Sequence, residues 1–226
     1  MKNIITIDGP VGTGKSSVSW SVSKRLNYHY LNSGVIYRIA AYYVLNNIYT
    51  SNQISEIVDQ LNNDSIEFVT HPKNSKDYMV LLNGEDITSK VTSESYGNLA
   101  SQISQSKVLR EGLIKKQRDF DHESGLVADG RDMGSKIFPE ARIKIFLTAS
   151  PEVRAKRRYQ QLINKGIDAN LEDICDDITN RDFNDMHRSV SPMVVPKGAY
   201  LIDSSEYTFD EVVSQVIEVS EAMSGA

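Results

Sequence analysis

Ile4-Ile5-Thr6-Ile7-Asp8-Gly9-Pro10-Val11-Gly12-Thr13-Gly14-Lys15-Ser16 decides the architecture of this chain. A β-branched run reads as a strand, and here it passes into a glycine-rich turn and then a helical pattern. That order aims successive backbone N–H groups and a helix N-terminus at one point, where a polyphosphate sits. Gly9 to Ser16 is a complete phosphate-cradling loop in this setting, so the chain is expected to handle a nucleoside triphosphate. Lys15 reaches the β- and γ-phosphates and the Ser16 hydroxyl ligates Mg²⁺, both from the first helical turn. Val18, Val22 and Leu26 follow one turn apart as a buried stripe that returns the helix to the sheet. Trp20 falls off that stripe and is expected to pack under a neighbouring helix or an inserted segment.

Outward from the loop, strand and helix patterns alternate with one interruption. Tyr28 to Leu31 reads as a short strand ending at Asn32-Ser33-Gly34, followed by a helix from Val35 to Leu45 and a small one from Asn52 to Leu61. The texture then becomes extended: Ser65 to Thr70, then Tyr78 to Leu82, turning at Asn83-Gly84 into Glu85 to Thr88. Asn-Gly between apolar runs is the strongest short-range hairpin signal, so an antiparallel insertion is expected at about residues 62–91. Helices Ser93 to Ile103 and Lys107 to Glu123 come next. The strands Leu126 to Asp129 and Arg142 to Thr148 are almost continuously apolar, as a parallel sheet requires. Ser150-Pro151 starts a helix running to about Lys165, and Asn170 opens another toward Asp185. Tyr200 to Ile202 is the last strand, and Thr208 with Glu211 forms a capping box for a final helix that ends before Ser224-Gly225-Ala226, expected to fray. The pattern is that of an α/β fold around a parallel sheet.

Bulk properties narrow the class. With 226 residues the chain suits one α/β domain carrying an insertion. Its single cysteine, Cys175, lies among Leu171, Ile174 and Ile178 at helical spacing and reads as a small core filler. No leader pattern or long apolar stretch is present, and the expectation is a soluble cytoplasmic protein, away from membranes. His29, His71, His122 and His187 lack metal-ligand spacing. A net charge of −5 speaks against nucleic acid as partner, so any anion site must be assembled locally.

The second site has to be read from scattered residues. Leu126-Val127-Ala128 ends in Asp129-Gly130-Arg131-Asp132-Met133-Gly134, an acid at the carboxyl end of a buried strand, where open α/β sheets bind ligands. Asp129 reads either as a partner of the Mg²⁺ shell or as the cap of its turn. Arg131, beside two carboxylates, suits an incoming phosphate because its planar fork grips oxygens in pairs. Arg181, Asp185 and Arg188 share one helical face, and Arg154, Arg157 and Arg158 another. Either face is a solvated ion-pair array or part of an anion site; phosphoryl transfer between polyanions would require the latter. Ser33-Gly34-Val35-Ile36-Tyr37-Arg38 places a hydroxyl, a glycine and an arginine at a helix start, a natural seat for an acceptor phosphate.

Taken together, these segments resemble the bacterial cytidylate kinases. The resemblance runs from Ile4 to the last helix. It rests on the phosphate loop, Leu31 to Arg38, the Asn83-Gly84 hairpin, Ala100-Ser101-Gln102 with Arg110, Ala128 to Gly134, Lys144 to Thr148, Arg157-Arg158 and Arg181 through Pro192. It implies a P-loop three-layer αβα core with a five-stranded parallel sheet at about 1–61, 92–150 and 190–226. The antiparallel insertion at about 62–91 would bind the monophosphate, and a helical lid would span about 151–189. The implied reaction moves the γ-phosphoryl of ATP to CMP or dCMP with Mg²⁺, and UMP or another small acceptor is the alternative. ATP would be held by Gly9, Pro10, Val11, Gly12, Thr13, Gly14, Lys15, Ser16, Ser17 and Arg157. The acceptor would be held by Ser33, Tyr37, Arg38, Ser101, Arg110, Asp129, Gly130, Arg131, Asp132, Arg181, Asp185 and Arg188. Within that set Arg38, Arg131 and Arg188 would hold the phosphate, Ser101, Arg110 and Asp132 would read cytosine, and Arg181 with Asp185 would take the ribose. Catalysis would fall to Lys15, Arg131, Arg188 and Arg158, and the metal to Ser16, with Asp129 through water. The chain is expected to act as a monomer. Where the family usually has Asp before its Ser/Thr-Gly, this chain has Asn32. A guanine-reading switch protein is the remaining reading, with only Asn164-Lys165-Gly166-Ile167-Asp168 near its motif and one residue out of register.

Overall fold

Ile4, Leu31, Leu126 and Ala128 point into one apolar cluster, while Ile5, Ile7, Val127, Ile143, Ile145 and Leu147 point into another. This two-residue alternation on adjacent strands is what a pleated sheet covered on both faces dictates. The computed structural model describes residues 3–164 and 166–222. In chain order it contains β1 (Ile4–Asp8), α1 (Lys15–Leu26), β2 (His29–Asn32), α2 (Ser33–Leu45) and α3 (Ile54–Asn63). Then come β3 (Ile66–His71), β4 (Asn74–Leu82), β5 (Glu85–Asp86), α4 (Thr88–Val91), α5 (Glu94–Ile103), α6 (Lys107–Gly112) and α7 (Ile114–Arg118). The chain closes with β6 (Leu126–Gly130), a π-helical turn Met133–Ile137, β7 (Ile143–Thr148), α8 (Pro151–Asn164), α9 (Leu171–His187), β8 (Tyr200–Asp203) and α10 (Phe209–Ala222).

Five parallel strands make the central sheet in the order β2-β6-β1-β7-β8. The chain leaves β1 for one edge and β6 for the other half, so a crevice opens beyond the carboxyl ends of these central strands. Residues of α2 and α3 fill one face together with Val80, Leu82 and Ile87; Val18 and Val22 of α1 and Val212, Val213 and Val216 of α10 fill the other. The layers are therefore helix, sheet, helix, and β3-β4-β5 form a separate three-stranded antiparallel sheet. Asn83 and Gly84 both take positive φ, 51° and 83°, at the β4–β5 turn, as a tight hairpin demands.

The elements depart from expectation at a few points. Lys107 to Glu123 is not one helix. It breaks between α6 and α7 at Gly112, where an added Cβ would come within 2.5 Å of the Val58 side chain, and the close approach of α3 takes precedence over helical propensity. The third antiparallel strand stops at Asp86 because that carboxylate accepts both the backbone N–H and the hydroxyl of Thr88 and so starts α4. Conversely, β4 reaches back to Asn74 through polar residues, held by its pairing with β3. Cys175 is half-buried and not a core residue, since α9 packs on α8 and not on the sheet. Trp20 is buried against Tyr30 and against Tyr78 of the antiparallel sheet, ring centroids 5.5 Å apart in each case. The expected helix end at Lys165 and the fraying of Ser224-Gly225-Ala226 lie outside the described residues. The capping box is present: Glu211 Oε2 accepts from Thr208 N at 2.8 Å, and Thr208 Oγ1 accepts from Glu211 N at 3.4 Å.

Candidate active site

Between β1 and α1 the loop is shaped by its glycines. Gly9 has φ 149°, and a Cβ there would lie 2.0 Å from the Leu147 carbonyl oxygen of β7, so no other residue fits. Gly14, at φ 87°, caps α1. The Lys15 ammonium donates to the Pro10 carbonyl at 2.8 Å, folded over the loop. Burial, and next the charge of Arg131, lower its pKa to about 7. Val11, Gly12, Gly14, Lys15, Ser16 and Ser17 line a cleft of about 620 Å³ that Asp129, Arg131 and Arg157 complete, within the range of a small-molecule site. Gly9, Pro10 and Thr13 stand behind the loop and shape it, Thr13 by donating to Pro10 O at 3.2 Å.

The helices α8 and α9 brace that loop from the other side. Arg154 donates to Val11 O at 3.0 Å and to Ala149 O at 2.9 Å while pairing with Asp182 at 2.6 Å. Arg157 grips Ser204, whose hydroxyl also approaches Thr13 O at 3.4 Å. Arg158 turns to Glu94 at 3.1 Å and lines neither cleft. The three arginines expected to share one helical face therefore have three different destinations.

Ser16, Asp129 and their neighbours form the polar floor of the cleft. Asp129 accepts from the Tyr30 hydroxyl at 3.1 Å. Burial pushes its carboxyl above the usual carboxylate range, while the Lys15 ammonium pulls the other way. Asn32 donates to Ser16 Oγ at 3.1 Å. Asp129 thus belongs with the phosphate loop and not with the second cleft. Among the described residues no cluster of three or more His, Cys, Asp or Glu could cage a metal. A serine hydroxyl and one carboxylate beside phosphate-loop N–H groups nevertheless fit Mg²⁺, which takes one or two protein oxygens and fills its remaining positions with phosphate and water.

Beside this cleft, and sharing Val11, Gly34, Arg38, Gly130 and Arg131 with it, is a second one. Ser33, Tyr37 and Arg38 reach it from α2, Ser101 from α5, Arg110 from α6, Gly130, Arg131 and Asp132 from the end of β6, Arg181 and Asp185 from α9, and Arg188 from just past the end of α9. Arg110 and Arg188 flank the buried Asp132 at 3.5 and 3.8 Å; Arg131 and Arg188 pair with Asp185 at 2.8 and 3.1 Å. Burial alone would raise Asp185, but Arg131 and Arg188 outweigh it and hold the carboxyl below its ordinary value. Arg38 is fixed by Val91 O at 2.7 Å and Ser93 O at 3.0 Å, flat against Gly97, where a Cβ would meet Nη2 at 2.6 Å. Its pKa is lowered, by burial and then by Arg181. Arg110 lies over the Tyr37 ring at 5.1 Å. Five arginines thus face two carboxylates in one cleft, and buried Nη2 of Arg188 has no hydrogen-bond partner. Buried donors are normally satisfied, so the cleft is built for an anion.

Sequence reasoning missed Arg154, whose register with Arg157 and Arg158 was visible but whose contact with the loop was not. It also passed over Asp8, which accepts from Met133 N and Gly134 N at 2.8 Å each and so ties β1 to the turn after Asp132. Tyr30 and Tyr78 gave no signal beyond their aromatic character.

A phosphate loop at the carboxyl end of β1 and an adjoining arginine-rich cleft are the layout of a P-loop phosphotransferase with room for a second anion. The family model for cytidylate kinase matches residues 5–222. A cytidylate kinase from Caldicellulosiruptor saccharolyticus is 40% identical over 220 residues, covering 97% of this chain and 96% of that protein. One from Cupriavidus pinatubonensis is 42% identical over 218 residues, covering 96% and 95%. The chain belongs to the cytidylate kinase family. Among solved structures, an uncharacterized protein from Eubacterium ventriosum shares the fold, with TM-score 0.51 at 12% identity over 96% of this chain and 98% of that one.

Proposed function

We propose that the two adjoining clefts carry out the family's reaction as donor and acceptor sites, ATP plus CMP giving ADP plus CDP, with dCMP as a second acceptor. The observation that carries the assignment is the excess of arginine over carboxylate in the acceptor cleft, with one buried guanidinium nitrogen making no hydrogen bond. A phosphate acceptor is already ionised at neutral pH and needs no general base, so catalysis reduces to alignment and charge. Arg131 lines both clefts, which is where a cation offsets charge on a phosphoryl group in transit. Lys15 would stabilise the β- and γ-phosphates. Arg38 and Arg188 would hold the acceptor phosphate, and Arg181 with Asp185 the ribose.

Cytosine differs from uracil by an exocyclic amino donor. Asp132 is the acceptor that would select it, with Arg110 and Ser101 donating to the ring acceptors. Mg²⁺ would be held by Ser16, with Asp129 through water, and would neutralise triphosphate charge. Arg158 would act from the lid only if closure brings it off Glu94. Arg154 is the lid residue that already touches the loop.

A monomer is the working assembly. Among the described residues no helix is long and apolar enough to cross a membrane. A coupled assay with ATP and a panel of CMP, dCMP, UMP and AMP tests the assignment. CMP and dCMP are expected to be turned over best, and preference for UMP would move the reading to another acceptor.

A further inference from the structure

Asn32 stands where β2 meets α2, and its backbone role fixes the direction of its amide. Oδ1 accepts from Val35 N at 3.1 Å as the cap of α2, so Nδ2 is the atom that faces the donor cleft. Nδ2 lies 3.1 Å from Ser16 Oγ, 3.2 Å from Tyr30 Oη and 3.0 Å from Tyr78 Oη. Two amide protons serve these three acceptors. Tyr78 comes from β4 of the antiparallel sheet, and its ring packs against Trp20, Tyr30 and Phe68. One amide therefore joins the serine at the head of α1 to the inserted sheet.

A hydroxyl has one proton and two lone pairs. At Ser16 one lone pair goes to Asn32 Nδ2, which leaves the second lone pair for a cation in the cleft. An aspartate at position 32 would offer acceptors only and could not donate to Ser16 or to either tyrosine. The cap holds the Oδ1 end of the amide, and the Tyr78 hydroxyl, from outside the core sheet, engages the Nδ2 end that also donates to Ser16.

We infer that Tyr78 is a positioning residue of the donor site: by anchoring the Asn32 amide it orients the Ser16 hydroxyl for the magnesium-bound triphosphate. The inference rests on the donor assignment made above. Tyr78→Phe removes the hydroxyl and keeps the ring. Binding of a non-hydrolysable ATP analogue, followed by calorimetry across a magnesium chloride series, is expected to need roughly 3- to 10-fold more Mg²⁺ for half-saturation, the worth of one lost hydrogen bond. Binding in EDTA and binding of CMP should not change. Emission of Trp20, the only tryptophan, should stay as in the parent, showing the aromatic packing intact. Asn32→Asp should shift the same midpoint, and the double variant should shift it no further than the larger single change, because both act through one bond. An unshifted midpoint in Tyr78→Phe, or additive shifts in the double variant, would overturn the inference. Trp20→Phe disturbs the same ring cluster without touching the amide, and an equal shift there would assign the effect to packing and overturn it as well. A parent chain that binds no magnesium-triphosphate would fail the donor assignment itself, and this inference with it.

Discussion

The donor and acceptor clefts lie side by side yet are made from different materials. The proposed donor loop is one contiguous stretch, Gly9 to Ser17, and the groups it would offer are mostly backbone N–H aimed by glycine geometry and the end of a helix. The acceptor cleft is assembled from side chains of α2, α5, α6, the end of β6 and α9, held against one another by ion pairs. A backbone site is fixed by the fold and fails when the fold is forced. A side-chain site is fixed by mutual charge and fails one residue at a time. The contrast predicts that loop substitutions act on folding and triphosphate binding together, and that acceptor substitutions act on turnover or specificity with the fold retained.

The sharpest test on the acceptor side is Arg131→Ala. Arg131 lines both clefts and pairs with Asp185 at their junction. Its loss is expected to cut kcat by about 10³-fold, the low end for an arginine that stabilises phosphoryl transfer, while the unfolding midpoint stays close to that of the parent. A purified variant with near-parental turnover would remove Arg131 from the chemistry. On the donor side, Gly9→Ala forces a Cβ to 2.0 Å from the Leu147 carbonyl. It should cost at least about 3 kcal/mol in urea unfolding, from overpacking and backbone strain combined, and lose ATP binding in proportion. Full stability with ATP binding lost would break the comparison.

The same contrast explains what the sequence made legible. The loop could be read because a strand, a glycine-rich turn and a helix follow one another within Ile4 to Leu26, and local order is what a sequence displays. The sheet could be read because its strands are nearly all apolar. Ser101 and Arg110, by contrast, looked like an exposed serine and a solvated arginine on their own helices. Only the packing of α5 on α2 and of α6 on α3 brings them into the cleft with Asp132, and only the resemblance to cytidylate kinases marked them. The break at Gly112 and the π-helical turn after Asp132 escaped because each is imposed by a distant partner, Val58 in the first case and Asp8 in the second.

Specificity should separate from turnover at Asp132. Arg110 and Arg188 hold this carboxylate from both sides, which leaves it an acceptor in a fixed place. Asp132→Ala is expected to lower the ratio of kcat/KM for CMP over UMP by roughly 10- to 100-fold. Because the change leaves two guanidiniums short of a partner, Asp132→Asn serves as the folding control. An unchanged ratio in both would show that cytosine is read elsewhere.

The smallest expected effect lies at the seam between the clefts. Asp8 is fully buried, and its two oxygens accept from Met133 and Gly134, so β1, which carries the donor loop, is tied to the turn that carries Asp132. Burial raises its pKa from 3.8 to about 7, with Asp132 adding to the rise and the two N–H donors and Lys15 opposing it. The folded chain therefore keeps a proton on Asp8 that the unfolded chain has already released. Its contribution to stability is complete below the unfolded pKa and is lost as pH rises through about 7. Asp8→Asn cannot titrate, and its amide can accept from only one of the two N–H groups, a loss of about 1 kcal/mol. Urea unfolding of the parent and Asp8→Asn between pH 4 and 8 isolates the difference from other acids. The parent should lose stability relative to the variant as pH rises, by no more than about 1.4 kcal/mol per pH unit, the limit for one proton. Parallel curves would show that Asp8 is ionised throughout, held by its two N–H donors, and that the seam is indifferent to pH.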